Sequence, residues 1–408
     1  MTIFPARYLS KIHVIFSLVG LFCFSLPVHA DPETRHLSVA DWRNAVELVQ
    51  GNRPRAAIPV LEQFVALAPE NPVVQAELGI AYARARRDAQ AVAQLSRALS
   101  VSRDPRQQQA IQSQIDRIRA LSDFGGSARF GIVPQTNITR SSSLDTIRLG
   151  DLEFILDNAR QSGIGLNFDL EGSYAPMIAP DLRARAAIRF SGNLYENRDA
   201  NDYSLQVSTG LESLGDRGRV LGIGVLGRQR WAADSRFSVD RGIYANYQIQ
   251  AASETLIFGR VELVDRKVPS VPRRNATVQT VSLGAIHLLD PQTRISLRGS
   301  GTRTRAQVGF ESGRYHSLGF GIRRAFESGW QADANIDVSR ETRDGIAPAF
   351  GVVRSETTQK LTLQITNRNV QYRGFSPVLQ LGAERRRSNI EIYSYQNRFL
   401  GVSLSRGF

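Results

Sequence analysis

From Gly126 to Phe408 the chain is built of repeated segments, about ten residues each, in which apolar and polar side chains alternate. Leu182, Ala184, Ala186, Ile188 and Phe190 alternate with Arg183, Arg185, Ala187 and Arg189. Ile164, Leu166, Phe168 and Leu170 alternate with Gly165, Asn167 and Asp169, and Leu361, Leu363 and Ile365 with Lys360, Thr362, Gln364 and Thr366. A period of two means strands with one apolar and one polar face. A soluble sandwich would bury the apolar face against a second sheet. A membrane barrel turns it toward lipid and keeps the polar face in a wet lumen. The polar face here is rich in arginine, glycine, serine and aspartate, and the segments recur about every 20 residues, the cadence of a barrel.

Parity predicts fourteen strands, beginning near Ser127, Gly163, Leu182, Tyr203, Val220, Gly242, Leu256, Val278, Arg294, Tyr315, Gln331, Thr358, Phe375 and Gln396. The tight connections, Ala251 to Glu254, Asp290 to Thr293 and Glu327 to Gly329, follow even-numbered strands. The longer ones, Thr139 to Ala159, Asp265 to Asn275 and Glu341 to Ser355, follow odd-numbered strands. Short turns face the periplasm and long loops face outward in bacterial barrels. The first strand therefore starts in the periplasm. The last strand alternates Leu400, Val402 and Leu404 with Gly401, Ser403 and Ser405, and Phe408 closes it as an insertion signal read by the barrel-assembly machinery.

Before the strands the period is helical. Five helices are predicted, over Val39–Val49, Arg55–Leu67, Val73–Ala85, Ala89–Val101 and Pro105–Leu121, with Asp104 as an N-cap. Leu78, Gly79, Tyr82, Ala91, Leu95 and Ala98 fall at the spacing of a tetratricopeptide repeat, with Ala57, Leu61, Phe64 and Pro69 as a weaker copy 34 residues earlier. Repeats of this kind stack around a concave groove that takes a partner. The architecture is thus a membrane all-β barrel of about 14 antiparallel strands, residues 127–408, behind a small all-α tetratricopeptide-like domain, residues 31–121, with a hinge at 122–126.

Residues 1–30 read as a signal peptide. Arg7 and Lys11 precede an apolar run, and Val28-His29-Ala30 offers a cleavage site. The run is too short to span a bilayer comfortably. Cys23, the single cysteine, leaves with it, so no disulfide or thiolate metal site is expected. The net charge is +13 and almost wholly arginine, lysine standing only at 11, 267 and 360. The arginines are spread over strand after strand rather than gathered on one helix. That pattern suits lumen and lipid-headgroup charge, and not nucleic acid.

No enzyme site stands out. Beyond the leader the histidines are His36, His287 and His316, and parity puts the last two on the lipid side. Nucleophile elbow, phosphate loop and zinc spacing are missing from the sequence. Cofactors are not implied. Asp333 and Asp337 flank Asn335 on one face and could hold a cation or pair with facing arginines. Three arginine ladders face the lumen: Arg183, Arg185 and Arg189; Arg228 and Arg230; Arg294 and Arg298. Asp169, Glu171, Glu262, Asp333, Asp337 and Glu384 are their expected partners. Such a lattice either conducts a polar passenger or simply fills the barrel. Phe258 and Tyr244 are the clearest lumen aromatics, few for a polysaccharide conduit.

The barrel opens on Arg129-Phe130-Gly131-Ile132-Val133-Pro134-Gln135-Thr136-Asn137-Ile138-Thr139. With the helices, the strand number and the terminal Phe, this resembles the surface lipoprotein assembly modulator (Slam) family, whose first strand similarly ends in a polar pair, Asn and an aliphatic residue. Pro134 and Asn137 carry the motif. The helical region here is short, where many relatives carry a longer array. The resemblance implies an outer-membrane protein that helps surface lipoproteins or secreted binding proteins across the outer membrane, its helices engaging the passenger in the periplasm. The competing expectation is a channel for small solutes or exopolysaccharide.

Overall fold

The computed structural model describes residues 37–407 except 52, 86, 143, 145, 150, 151, 156–159, 327, 368 and 373. The expected leader, Cys23 and Phe408 lie outside the described residues.

Five helices come first: α1 (Val39–Gln50), α2 (Pro54–Leu67), α3 (Pro72–Arg84), α4 (Asp88–Val101) and α5 (Pro105–Leu121). Their starts follow from local chemistry. Ser38 and Asp41 form a reciprocal capping box on α1. Asn71 and Asp104 cap α3 and α5 with their side chains, each with proline at the first position. Small residues set the spacing between helices. A Cβ on Gly79 would lie 2.6 Å from Leu95 Cγ, so only glycine lets α3 approach α4 this closely. Ala57, Leu61, Leu78, Ala91, Leu95 and Ala98 are fully or nearly fully buried in one core, which also takes Tyr82 and Ile115.

Fourteen antiparallel strands follow: β1 (Phe124–Gln135), β2 (Gly163–Tyr174), β3 (Leu182–Tyr195), β4 (Asp202–Gly215), β5 (Arg219–Ala232), β6 (Ser235–Ala252), β7 (Thr255–Lys267), β8 (Ala276–Leu288), β9 (Thr293–Ala306), β10 (Gly313–Ala325), β11 (Trp330–Ala347), β12 (Val352–Asn367), β13 (Ser376–Ser388) and β14 (Tyr395–Gly407). Each pairs with its neighbours in sequence, and β1 pairs with β14, so the sheet closes on itself. Closure removes every free edge, which is what a spanning sheet needs in a medium without water. Phe124–Gly126, expected in a hinge, already pair with β2.

The outer face carries Ile132, Leu166, Ile188, Val207, Ile223, Ile243, Leu283, Leu318, Leu361 and Val402, all well exposed. This is the lipid-facing belt that parity predicts. Aromatic side chains flank it. Phe124 stacks on Tyr174 at one end, and Tyr203 stacks on Trp231 at the other. His287 and His316 share strand parity with this belt, opposite Ile295 and Arg340 respectively.

The connections differ from expectation in one respect. Glu341 to Ser355 is no loop, because β11 runs on to Ala347 and β12 resumes at Val352 across a register shift between Thr342 and Ile346. Backbone pairing continues past the apolar belt even where the side chains stop alternating. Likewise β5 passes to β6 through Ala233 and Asp234 alone, both at positive φ (49° and 56°), the backbone of a tight hairpin turn. The first odd connection holds its own hairpin, Thr146–Leu149 against Leu152–Ile155.

Candidate functional site: lumen, seam and helical groove

Lumen-facing side chains form a lattice of charges. Arg183 lies 2.6 Å and Arg185 3.9 Å from Glu212. Arg189 holds Asp169 with two hydrogen bonds, and Arg230 holds Asp202 in the same way. Arg228 sits between Asp240 (3.6 Å) and Glu262 (3.5 Å). Asp240 is 1% exposed and is also gripped by Arg266 at 3.0 Å. Arg260 pairs with Glu262 at 2.7 Å and lies over the Tyr244 ring at 4.0 Å. Arg298 donates to Asn335 at 3.3 Å. Arg294 faces the lumen opposite Arg323.

Asp169 and Glu262 take arginines as expected, and Glu212, Asp202 and Asp240, which the sequence alone did not name, take others. The candidate cation face is also otherwise engaged. Asp333 is bound by Arg323 and by Gln331 Nε2, while Asp337 lies beside Arg298 under Gly319. Among the described residues no group of three or more carboxylate, histidine or cysteine side chains is placed to hold a metal. The lumen is more aromatic than expected. Tyr195, Phe237, Tyr395 and Phe399 point inward beside Tyr244 and Phe258, a consequence of bulge and parity at strand ends. At the odd-connection end Phe237, Arg266, Arg343, Phe350, Arg354 and Tyr393 line a cavity of about 470 Å³.

The seam between β1 and β14 has a distinct build. Ser127 to Ile132 pair with Gly407 to Val402, and Gln135 with Phe399, but the ladder breaks at Val133 and Pro134. Proline has no N–H to give. Beyond the break the seam is latched by side chains. Asn137, 1% exposed, gives its backbone N–H to Asn397 Oδ1 at 3.0 Å and its Nδ2 to Gln396 O at 3.1 Å. The same Nδ2 reaches Ser141 O at 2.8 Å, and Oδ1 accepts from Ser141 N at 3.1 Å. Asn397, 2% exposed, returns its Nδ2 to Gln135 Oε1 at 2.7 Å. Thr136 exchanges bonds with Arg398. The segment 136–141 is thus folded across β14, and Arg140 reaches Glu384 at 3.8 Å. This gives Pro134 and Asn137 a physical role that the motif alone did not reveal. Asn397 was missed, because only closure of the barrel brings it to Asn137.

The helices touch the barrel at the even-turn end. Arg97 donates to Gln371 at 2.9 Å and Ser100 meets Asn369 at 3.1 Å, both on the β12–β13 connection. Between α3 and α5 a cavity of about 360 Å³ is lined by Ile80, Ala83, Arg84, Leu95, Gln114 and Ile118. Its floor is apolar, and its rim carries Arg84, Arg117 and Asp88. Burial raises the Glu77 carboxyl above its ordinary value, partly offset by Arg84. Burial, together with its hydrogen bond to Glu62, pushes the Tyr82 hydroxyl up to about 12.

Residues 125–408 match the family model of the surface lipoprotein assembly modifier, and residues 48–115 match a tetratricopeptide repeat model. No curated protein matches the sequence significantly. Among solved structures the chain is similar to the outer membrane channel DcaP of Acinetobacter baumannii, at 8% identity and TM-score 0.43, covering 70% of this chain and 96% of that one. It is similar to a Pseudomonas aeruginosa FadL homologue at 9% identity and TM-score 0.39, covering 70% and 89%. The Pseudomonas putida toluene transporter TodX stands at 9% identity and TM-score 0.38, covering 70% and 90%. With a family model spanning the barrel from its first strand to the last residue, the chain belongs to the surface lipoprotein assembly modifier family.

Proposed function

We propose that this protein is an outer-membrane translocator that assists export of surface lipoproteins or secreted binding proteins, with the helical domain receiving the passenger in the periplasm. Family membership supports the role in assembly. The observation that carries the finer reading is the position of the helices. The helical domain that holds the groove meets the barrel through Arg97 and Ser100 of α4, against the connection after an even strand. Tight turns such as Ser253-Glu254 lie at that end, the periplasmic end in bacterial barrels. An apolar floor with two arginines and one aspartate at its rim suits an extended or helical segment that carries more acidic than basic residues. The Arg–carboxylate lattice then offers a passing polypeptide a wet, charged wall that holds few fixed apolar contacts.

A photo-crosslinking amino acid placed at Ile80 or Gln114 in living cells should capture an exported lipidated or secreted protein, and the same group at Glu62 should not. If the groove positions capture nothing while the barrel is inserted at normal level, the helices do not receive passengers.

A further inference from the structure

Not all the arginines serve the lumen. Strand register fixes which face each side chain takes, because directly opposed residues lie on the same face. Leu318 and Phe320 are lipid-facing on β10, so His316 and Arg314 on that strand face outward too. Arg314 stands opposite Arg303 on β9, two residues from Arg305, and His316 stands opposite Arg340 on β11. On β13, Leu379 and Leu381 put Arg385 and Arg387 outward, and on β14 Leu400 and Val402 do the same for Arg398. Arg340 and Arg387 both oppose Thr357 on β12, so the two clusters join into one belt. Among the described residues of β9 to β14, the outer face toward the odd connections thus holds seven arginines and one carboxylate, Asp344, which Arg303 takes at 2.7 Å. Elsewhere on that end the outer face is different. Arg241 on β6 stands opposite Asp265 on β7, which pairs with Lys267 at 3.3 Å, and Tyr203 and Trp231 occupy β4 and β5.

Such a belt needs an anion. Outward arginine is costly at the bilayer midplane and nearly free at the interface, which places the belt at headgroup level. Asp344 answers the like-charged pair Arg303 and Arg314, and among the described residues of this face no second carboxylate stands beside Arg305, Arg340, Arg385, Arg387 or Arg398. Adjacent strands lie about 4.8 Å apart, so six strands spread the charge over roughly 25 Å, wide enough for several phosphates at once. We propose that Arg305, Arg314, Arg340, Arg385, Arg387 and Arg398 form a binding belt for the phosphate groups of an outer-leaflet glycolipid of the lipid A type. Arginine forks match phosphate oxygens, and one such lipid offers two phosphates to neighbouring strands. The belt would anchor the β9–β14 half of the barrel, including one side of the seam, in the outer leaflet.

This inference rests on the odd connections lying outside the cell. Lipid binding in detergent does not depend on export, so failure here and failure of the proposed function are distinguishable. Purified full-length mature protein in detergent is titrated with diphosphoryl lipid A, phosphatidylglycerol and inorganic phosphate, and bound lipid is read by native mass spectrometry. Lipid A should bind at least tenfold more tightly than phosphatidylglycerol, and inorganic phosphate should not displace it at equal concentration. The variant Arg385→Gln/Arg387→Gln/Arg398→Gln should lose at least tenfold, and so should Arg305→Gln/Arg314→Gln/Arg340→Gln. Arg324→Gln, at the opposite end, should bind as the parent does. Two triple variants guard against misfolding of either, with heat-modifiable gel migration as the check. Parent-like binding by a folded triple variant overturns the belt. Equal binding of phosphatidylglycerol overturns the glycolipid assignment, and equal displacement by inorganic phosphate overturns a lipid ligand.

Discussion

Replacing Asn137 by alanine should unlatch the barrel seam. The side chain makes Nδ2 bonds to Ser141 O and Gln396 O and accepts from Ser141 N at 3.1 Å and from Thr139 Oγ1 at 3.3 Å. A net value of about 1 kcal/mol per bond gives a loss of about 3 to 4 kcal/mol, because the groups left behind are largely buried. That is more than a hundredfold in the folded-to-unfolded ratio. Asn137→Asp keeps the acceptor but turns a second carboxylate oxygen toward two carbonyl oxygens. It should be at least as damaging at neutral pH and partly relieved in acid, where the protonated oxygen can donate. Asn397→Ala removes the acceptor of the buried Asn137 N–H, and the double variant should show a coupling of about 1 kcal/mol or more. Urea unfolding in detergent, followed by tryptophan fluorescence, measures the parent and the four variants, since Trp231 and Trp330 lie in the barrel. An Asn137→Ala variant within about 0.5 kcal/mol of the parent, or strict additivity with Asn397→Ala, would refute a coupled latch.

Two further outcomes concern the helices. Gly79→Val would drive a branched side chain into Leu95, and overpacking of about 1 to 3 kcal/mol should lower the melting of the helical signal in circular dichroism while leaving the barrel's gel migration unchanged. Glu77→Gln should raise the helical melting temperature at neutral pH. Its carboxyl titrates higher in the folded state than the unfolded value of 4.5, so the parent is favoured in acid and loses stability as pH rises through the folded value. The gain from the substitution should therefore shrink as pH falls toward 4.5, and a gain independent of pH would rule out the carboxylate as its source.

The elements themselves were legible in the sequence. Both periods were unbroken over long stretches, and three of the five helices start behind a side-chain cap, so α5 begins at Pro105 behind Asp104 as its residues indicate. Strand starts fell within three residues for most strands, but not for β6 and β12, which begin at Ser235 and Val352. There the strands extend beyond the apolar belt, and alternation fades before backbone pairing does. Partners were harder to read than faces. Parity shows that Arg183 faces inward, but only register shows that Glu212 stands opposite it on β4. The seam was out of reach, because Asn137 and Asn397 are 260 positions apart and meet only when the barrel closes. The outward arginines were within reach of parity strand by strand. Arginine was divided between lumen and lipid headgroup, but no residue was assigned to the outward set.

The most direct measurement compares the surface and periplasmic proteomes of three strains: the parent, one lacking the gene, and one whose chromosomal copy lacks residues 31–121. Export of a protein passenger requires that one or a few surface or secreted proteins be trapped in the periplasm of both altered strains, with the shortened barrel still inserted and small-solute uptake unchanged. Altered uptake of small solutes, with no protein missing from the surface or the medium, would contradict translocation and identify a solute channel.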